Sequence, residues 1–352
     1  MYYKFKGKAI TGVLSILPEN EYYFEDEALK PNDIKSKRLK KIIGFGVRRR
    51  VKADTTLSDM FLAGFSKLLD EGKLVKDDIG AIVVVTLTQD YVLPQISSII
   101  HGELNLANDV FCIDIPQACA GYVIALIESF MLLEHLGDKK VILCSGEIFN
   151  RKTSLNERKY EEPSFGGDLA NISVIENRAD RPNIYGSAFF DGGQRDALLI
   201  KYGGFKNPMT PGIIEKERAN NSCSAIEMDG SAVFNFAQKE VPPAVVELTN
   251  RAGIKMDDID YFLFHQPNRF MLEKLATALK VPYSKMPMDI TERFGNSDSG
   301  TIPMVMTTDV NNEMITQNNL CCLSGFGGGL TWASLIMEIG KMDFCENMIS
   351  TL

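Results

Sequence analysis

Cys119 lies between an apolar run, Val110 to Ile115, and a second long apolar stretch, Gly121 to Leu136, with a turn of small residues in between. The order strand, turn, helix sets the sulfur at or near a helix N-terminus. Unpaired N–H groups and the helix dipole there favour a thiolate over a thiol. A free thiol with a pKa of about 8.5 is mostly protonated at neutral pH, so such a position suits a nucleophile. Three other groups could work with it. His265 is the first polar residue after the apolar run Tyr261 to Phe264, and Asn296 sits in a Gly/Ser-rich turn, Gly295 to Gly300. Gly327, Gly328 and Gly329 follow Phe326, and such a run lets backbone N–H groups approach a ligand closely, as an oxyanion site requires. His and Asn both donate hydrogen bonds when neutral. Two donors aimed at one carbonyl oxygen stabilise an enolate, which the decarboxylation of a malonyl thioester needs. Each residue alone has a plainer reading: a buried small hydrophobe, a satisfied core histidine, a turn residue, a tight turn.

Their placement along the chain adds weight. Val75 to Val85 matches Lys255 to His265, with the Asp-Asp-Ile anchors 180 residues apart. Ile113-Asp114-Ile115 matches Met288-Asp289-Ile290 at a separation of 175, and Val141 to Gly146 matches Leu320 to Gly325 at 179. Three echoes in one order, at nearly one offset of half the chain, point to a duplication. Each echo reads as a short strand apolar on both faces, which suits a buried, largely parallel sheet. Helical stretches alternate with them at Leu57 to Leu69, Gly121 to Leu136, Gly230 to Arg251 and Arg269 to Leu279. The expectation is an α/β fold of two duplicated halves, 1–175 with the nucleophilic Cys and 226–352 with the His and Asn, joined by a connecting and substrate-loop region, 176–225. One active site between the halves then takes its chemistry from equivalent strand ends.

Composition narrows the function class. A net charge of −8 argues against a nucleic-acid binder. The run Ala9 to Leu17, broken by Gly12 and ended by Pro18, reads as a strand rather than a leader, and no apolar stretch is long enough to span a bilayer. Seven cysteines without paired spacing suggest reduced thiols and a cytoplasmic protein, and three scattered histidines leave no structural metal site to expect. Residues 325–329 lack the spacing and the ribose-binding acid of a dinucleotide fingerprint; P-loop and G-x-S-x-G patterns are absent. No permanently bound cofactor is expected.

The combined motifs resemble the β-ketoacyl-acyl carrier protein synthase III family of the thiolase superfamily, over nearly the whole chain. Asp114 to Tyr122 resembles its nucleophile segment, His265-Gln266-Pro267-Asn268 its His-Gln-Ala-Asn motif, and Gly295-Asn296-Ser297, running on to Ile302-Pro303, its Gly-Asn-Thr/Ser segment. Gly325 to Trp332 is similar to its C-terminal Phe-Gly-Gly-Gly-Phe-Thr-Trp, Thr86 to Asp90 with Pro94 to the segment upstream of the Cys, Met228-Asp229-Gly230 with Val233-Phe234 to another signature, and Ala9 to Pro18 to the opening strand. The resemblance implies a five-layered αβαβα thiolase-like fold and a homodimer. It implies that Cys119 takes an acyl group from acyl-CoA, and that His265 and Asn296 stabilise the enolate formed as malonyl-ACP loses CO₂. The carbanion then attacks the acyl-Cys to give a β-ketoacyl thioester. By the same likeness the N–H groups of Cys119 and Gly328 form the oxyanion hole, and Leu93 gates the pocket across the dimer interface. Phe326, Gly327, Arg269 and Arg158 fall at or near substrate-binding positions. The rim departs from the family. Gly166 to Asn171 replaces Gly-Asp-Gly-Ala-Gly-Ala, Lys40 and Gly44 stand near the Trp and Arg that sandwich the CoA adenine, and Arg269 comes one position early. These departures imply an unusual primer or an acyl-ACP donor rather than simple acetyl-CoA priming. Arg151 to Pro163 and Tyr202 to Ser224 are long polar stretches expected to shape substrate access. The rival readings are a thiolase-fold acyltransferase that makes an ester or amide without decarboxylation, and a catalytically silent partner subunit.

Overall fold

A computed structural model of the chain describes residues 1–23, 44, 46–149, 166–220 and 226–352. In chain order the strands are β1 (Tyr2–Lys6), β2 (Lys8–Pro18), β3 (Asn20–Tyr23), β4 (Val47–Arg50), β5 (Ile79–Val85), β6 (Phe111–Ile115), β7 (Lys140–Glu147), β8 (Leu169–Asn177), β9 (Asn183–Phe190), β10 (Leu198–Ile200), β11 (Ile226–Met228), β12 (Tyr261–Phe264), β13 (Asn318–Gly327), β14 (Thr331–Gly340) and β15 (Phe344–Ser350). The helices that matter here are α1 (Leu57–Asp70), α2 (Ile96–Glu103), α3 (Gly121–Leu133), α4 (Gly230–Ala252), α5 (Arg269–Leu279) and α6 (Thr301–Thr308). None of the described helices is long and apolar enough to cross a membrane.

Two sheets carry the architecture. The front sheet runs β15-β2-β8-β7-β5-β6 and the rear sheet β1-β9-β14-β13-β12. Between them lie α3 and α6, whose apolar side chains (Tyr122 to Leu133, Ile302 to Met306) join the inner faces of both sheets in one core. Outside the front sheet, Leu57, Phe61, Phe65 and Leu68 of α1 pack with Ile96 and Ile100 of α2. Outside the rear sheet, Val241, Val245 and Leu248 of α4 pack with Leu272 and Leu275 of α5. This is the layered thiolase-like αβαβα arrangement. Helix α3 is apolar on nearly every side because both sheets face it, as a helix buried in a large core requires. The solvent-side α1 is amphipathic and opens on a capping box between Thr56 and Asp59.

The duplication is visible in two of the three echoes. Both Asp-Asp-Ile segments form a single 3₁₀ turn, Lys76–Asp78 and Met256–Asp258, that enters β5 or β12. β5 pairs parallel with β7, and β12 pairs parallel with β13 in the other half. The second echo fails: Met288-Asp289 lies outside any strand, whereas Asp114 is inside β6. Pro287 has no N–H to give a ladder, and its carbonyl instead accepts Gln266 Nε2 at 2.9 Å. The sheets are mixed rather than largely parallel, because β2/β8, β7/β8, β13/β14, β14/β9 and β1/β9 are antiparallel. Strands apolar on both faces report burial on both faces, not strand direction. The boundaries 175/176 and 225/226 divide the chain but not the sheets: β15 completes the front sheet, while β1 and β9 belong to the rear one. The stretch 202–224 includes a helix, Pro211–Asn220. Residues 150–165, with Arg158 and the stretch Arg151 to Pro163, lie outside the described residues, as does Lys40.

One buried carboxylate shapes the segment that leads from β5 toward Leu93. Glu147, at the end of β7 and fully buried, accepts from Leu87 N at 2.9 Å, Thr86 Oγ1 at 3.1 Å and Thr88 Oγ1 at 2.7 Å. Thr88 Oγ1 in turn accepts Ile148 N at 2.9 Å. Removing the carboxylate strands these donors inside the protein. Glu147→Ala is expected to destabilise the fold by about 3 kcal/mol, read as a lower urea midpoint with an unchanged slope. An unchanged midpoint would mean that the network contributes nothing.

Candidate active site

The ends of β6, β12 and β13 and the start of both central helices meet at one place. Cys119 occupies the turn between β6 and α3, where Gly121 N donates to Ala118 O at 2.7 Å and no side chain caps the helix. His265 follows β12 directly, and its N–H donates to Ser324 O of β13 at 2.8 Å. Asn296, Ser297 and Asp298 form the turn that enters α6. Gly328 and Gly329 make the hairpin between β13 and β14. Front and rear backbones are stitched beside this point: Gly167 N donates to Asn296 O at 3.0 Å. A Cβ on Gly167 would stand 1.9 Å from Phe294 O, so glycine is required there. Gly167 and Asn171 thus give the altered Gly166 to Asn171 segment a structural task, since Asn171 Nδ2 also donates to Gly300 O, just ahead of α6, at 3.2 Å.

Cys119 Sγ donates to Asp298 Oδ1 at 3.0 Å. One sulfur, one His265 ring nitrogen and one Asp298 carboxylate oxygen lie within 4.8 Å of one another, and all three residues are buried. His265 Nδ1 sits 2.9 Å from Thr301 Oγ1, which also accepts Gln266 N at 3.2 Å. Asn296 joins through the turn itself, its Oδ1 accepting Asp298 N at 2.9 Å. That contact fixes the amide's orientation and puts its Nδ2 donors on the opposite side. Phe326 packs edge-on against the His265 ring, centroids 5.7 Å apart. A Cβ on Gly327 would stand 2.7 Å from Cys119 Sγ, so the rear hairpin rests directly on the sulfur.

The electrostatics differ from the helix-terminus expectation. The Cys119 thiol is pushed well up, first by burial, then by the charge of Asp298 and by its hydrogen bond. Backbone N–H groups of Cys119 and Gly328 pull the other way and are outweighed. A dipole effect of up to about 2 kcal/mol does not offset full desolvation beside a carboxylate. Burial takes His265 down to about 3, so its ring is neutral at physiological pH.

The structure therefore brings Cys119, His265, Gly327, Gly328 and Phe326 together, with Asn296 one hydrogen bond away. Arg269 is elsewhere, on the surface at the first turn of α5, in an ion pair with Glu292 at 2.8 Å and beside Gly44. Leu93 is 82% exposed, next to the similarly exposed Val92 and the less exposed Tyr91. Two residues escaped the sequence reading. Thr301 carries no motif signal. Asp298 does: it lies 179 residues from Cys119, within the 175–180 spread of the three echoes, and both stand in the turn before a central helix.

Two outcomes follow from this packing. Gly327→Ala is expected to displace the sulfur and cut its alkylation by iodoacetamide at least about 10-fold, the scale of a 1.4 kcal/mol barrier change; an unchanged rate would show that the hairpin yields freely. His265 takes a proton below about 6.5 when unfolded and only below about 3 when folded. Between those values the unfolded chain holds more protons, so stability rises with pH and falls on acidification. The loss reaches at most about 1.4 kcal/mol per pH unit. Denaturant midpoints between pH 6 and 4 should fall less steeply in His265→Asn than in the wild type, and identical slopes would refute a buried neutral ring.

Comparison with known proteins identifies the family. Residues 249–339 match the sequence model of the family 3-oxoacyl-[acyl-carrier-protein (ACP)] synthase III, C terminal. A β-ketoacyl-[acyl-carrier-protein] synthase III of Streptococcus suis is 30% identical over 302 residues, 84% of this chain and 88% of the relative. A putative 3-oxoacyl-[acyl-carrier-protein] synthase 3 of Campylobacter jejuni is 28% identical over 98% of both chains. The crystal structure of a 3-oxoacyl-(acyl-carrier protein) synthase from Burkholderia xenovorans superposes with a TM-score of 0.87 at 27% identity, covering 99% of each chain. The chain belongs to the β-ketoacyl-[acyl-carrier-protein] synthase III family and is a condensing acyltransferase.

Proposed function

We propose that Cys119 carries the acyl group and that the rear half supplies the decarboxylating donors. An acyl-CoA, or an acyl carrier protein bearing the primer, transfers its acyl group to Sγ, with the N–H groups of Cys119 and Gly328 holding the oxyanion. Malonyl-ACP then binds, and neutral His265 with the Asn296 amide stabilises the enolate oxygen as CO₂ leaves. The carbanion attacks the acyl-Cys and a β-ketoacyl thioester departs. The observation that carries this reading is the meeting of a buried sulfur with a neutral imidazole across the two halves. Neutrality matters, because when Thr301 Oγ1 turns its one proton from Asp298 O to Nδ1, the imidazole carries its single N–H on Nε2, where it can donate without adding a buried charge. The two N–H groups that lower the thiol pKa support the oxyanion assignment, since donors close to Sγ are close to an acyl oxygen bonded beside it.

The enzyme acts as a homodimer in this reading. The front sheet ends on β6, whose outer edge is unpaired among the described strands, with Phe111 exposed at its start. Tyr91, Val92 and Leu93 present a contiguous apolar surface, and a partner subunit covering them would let Leu93 gate the acyl pocket. Phe326 and Gly327 line the site beside the sulfur, while Arg269, on the surface beside Gly44, is left to meet the incoming thioester carrier. The rim changes support a primer other than acetyl-CoA, within cytoplasmic fatty-acid or specialised acyl-chain synthesis.

Half-reactions separate the roles. Cys119→Ser is expected to abolish condensation. His265→Ala is expected to leave acyl loading within about 10-fold while slowing CO₂ release from malonyl-ACP by about 10²–10³, the usual cost of one oxyanion donor. Loss of loading with decarboxylation intact would reverse the assignment.

A further inference from the structure

We propose that Asp298 is a catalytic acid–base residue of this enzyme: its carboxylate takes the Cys119 proton when the acyl group is loaded and returns it when condensation frees the sulfur. The proposal rests on Cys119 being the acyl carrier. The geometry is direct, with Sγ donating to Oδ1 at 3.0 Å inside the protein. Asp298 is held there by the surrounding turn. Its N–H is bound by Asn296 Oδ1, its carbonyl accepts Thr301 Oγ1 at 3.0 Å, and its backbone has a φ of +48°. Such a conformation is uncommon outside glycine, and Asp and Asn are among the residues that tolerate it.

The other groups around the sulfur are poor substitutes for a base. The N–H groups of Cys119 and Gly328 are donors only. The His265 ring is occupied at Nδ1 by Thr301, and burial makes it a weak base. A thiol pushed up by burial ionises too little to react unaided at neutral pH, so proton removal must accompany attack. Among the described residues, Cys119, from the turn before α3, and His265, just after β12, face Asp298. Arg48 of β4 packs against Gly295, three residues earlier.

The proton inventory closes. During loading, the sulfur bonds to the acyl carbon, its proton moves to Asp298, and the donor thiolate leaves and takes a proton from water. Asp298 is then neutral, so the carboxylate of a malonyl thioester does not meet a second anion in the same cavity. Decarboxylation gives the carbanion, which attacks the acyl-Cys; the C–S bond breaks toward sulfur, and the Asp298 proton returns to Cys119. One proton is consumed per turnover, as the release of CO₂ from a carboxylate requires.

Single-turnover acylation of the full-length protein by butyryl-CoA, followed by quenching and intact mass, tests this. Wild-type loading should reach a plateau through neutral pH. Asp298→Asn, which keeps the shape and suits a positive φ, should load at least about 100-fold more slowly at pH 7, with the rate rising tenfold per pH unit to pH 9. Formate should restore part of the rate in Asp298→Ala. A carboxylate that only burdens the thiol predicts the opposite, loading in Asp298→Asn equal to or faster than wild type, and that result would overturn the proposal. So would a wild-type rate that itself rises tenfold per unit to pH 9, a measurement that needs no variant. Iodoacetamide, which alkylates the same sulfur without an acyl donor, has the same two arms. If butyryl-CoA fails to load the wild type while alkylation still slows in Asp298→Asn, the acyl-carrier reading fails and the part played by Asp298 stands.

Discussion

The contact between the rear hairpin and the front sulfur governs the rest of the site. Gly327 lies so close to Cys119 that even a methyl group would collide with Sγ, and a Cβ on Gly325 would stand 2.8 Å from Cys119 O. Two loops from opposite halves therefore share one wall. That contact buries the sulfur, brings Gly328 N to it and sets the edge of Phe326 against the His265 ring. Packing leaves the sulfur, the ring and the Asp298 carboxyl buried, and every charge there becomes expensive.

The chamber responds by holding little charge. His265 is neutral and the thiol is protonated, and the thiol's hydrogen bond goes to the Asp298 carboxyl group. Condensing chemistry benefits from this arrangement. Decarboxylation converts an anion into a neutral gas and an enolate, and fixed neutral donors stabilise that enolate without solvent reorganisation. The helix N-terminus that ordinarily makes a cysteine acidic contributes here, yet burial and the neighbouring carboxylate outweigh it.

Much of this was legible in the chain. The Asp-Asp-Ile and Ser-Gly echoes located β5, β12, β7 and β13, because the 3₁₀ turn that enters β5 and β12 and the Ser-Gly pair within β7 and β13 keep their residues in both halves. His265 was legible because a polar residue at the end of an unbroken apolar strand must face a special environment. Strand exchange was not: β1, β9 and β15 cross between halves through contacts that leave no local periodicity. The echo at Met288 misled because Pro287 removes a ladder donor while leaving the apolar pattern intact. Asp298 stood in a quoted turn and passed as loop polarity. Its separation from Cys119, inside the range of the repeat offsets, was the available signal.

A buried sulfur shared by two halves is selective in a way that composition alone would not suggest. The protein has seven cysteines, and Cys112 on β6 is more exposed than Cys119. Incubation of the wild-type protein with a panel of straight and branched acyl-CoAs, followed by peptide mapping of the thioester, measures that selectivity. The expected result is one acyl group per chain, on Cys119 alone, with its chain length reporting the primer. Acylation at Cys112, or none anywhere, would contradict a chamber built around Cys119.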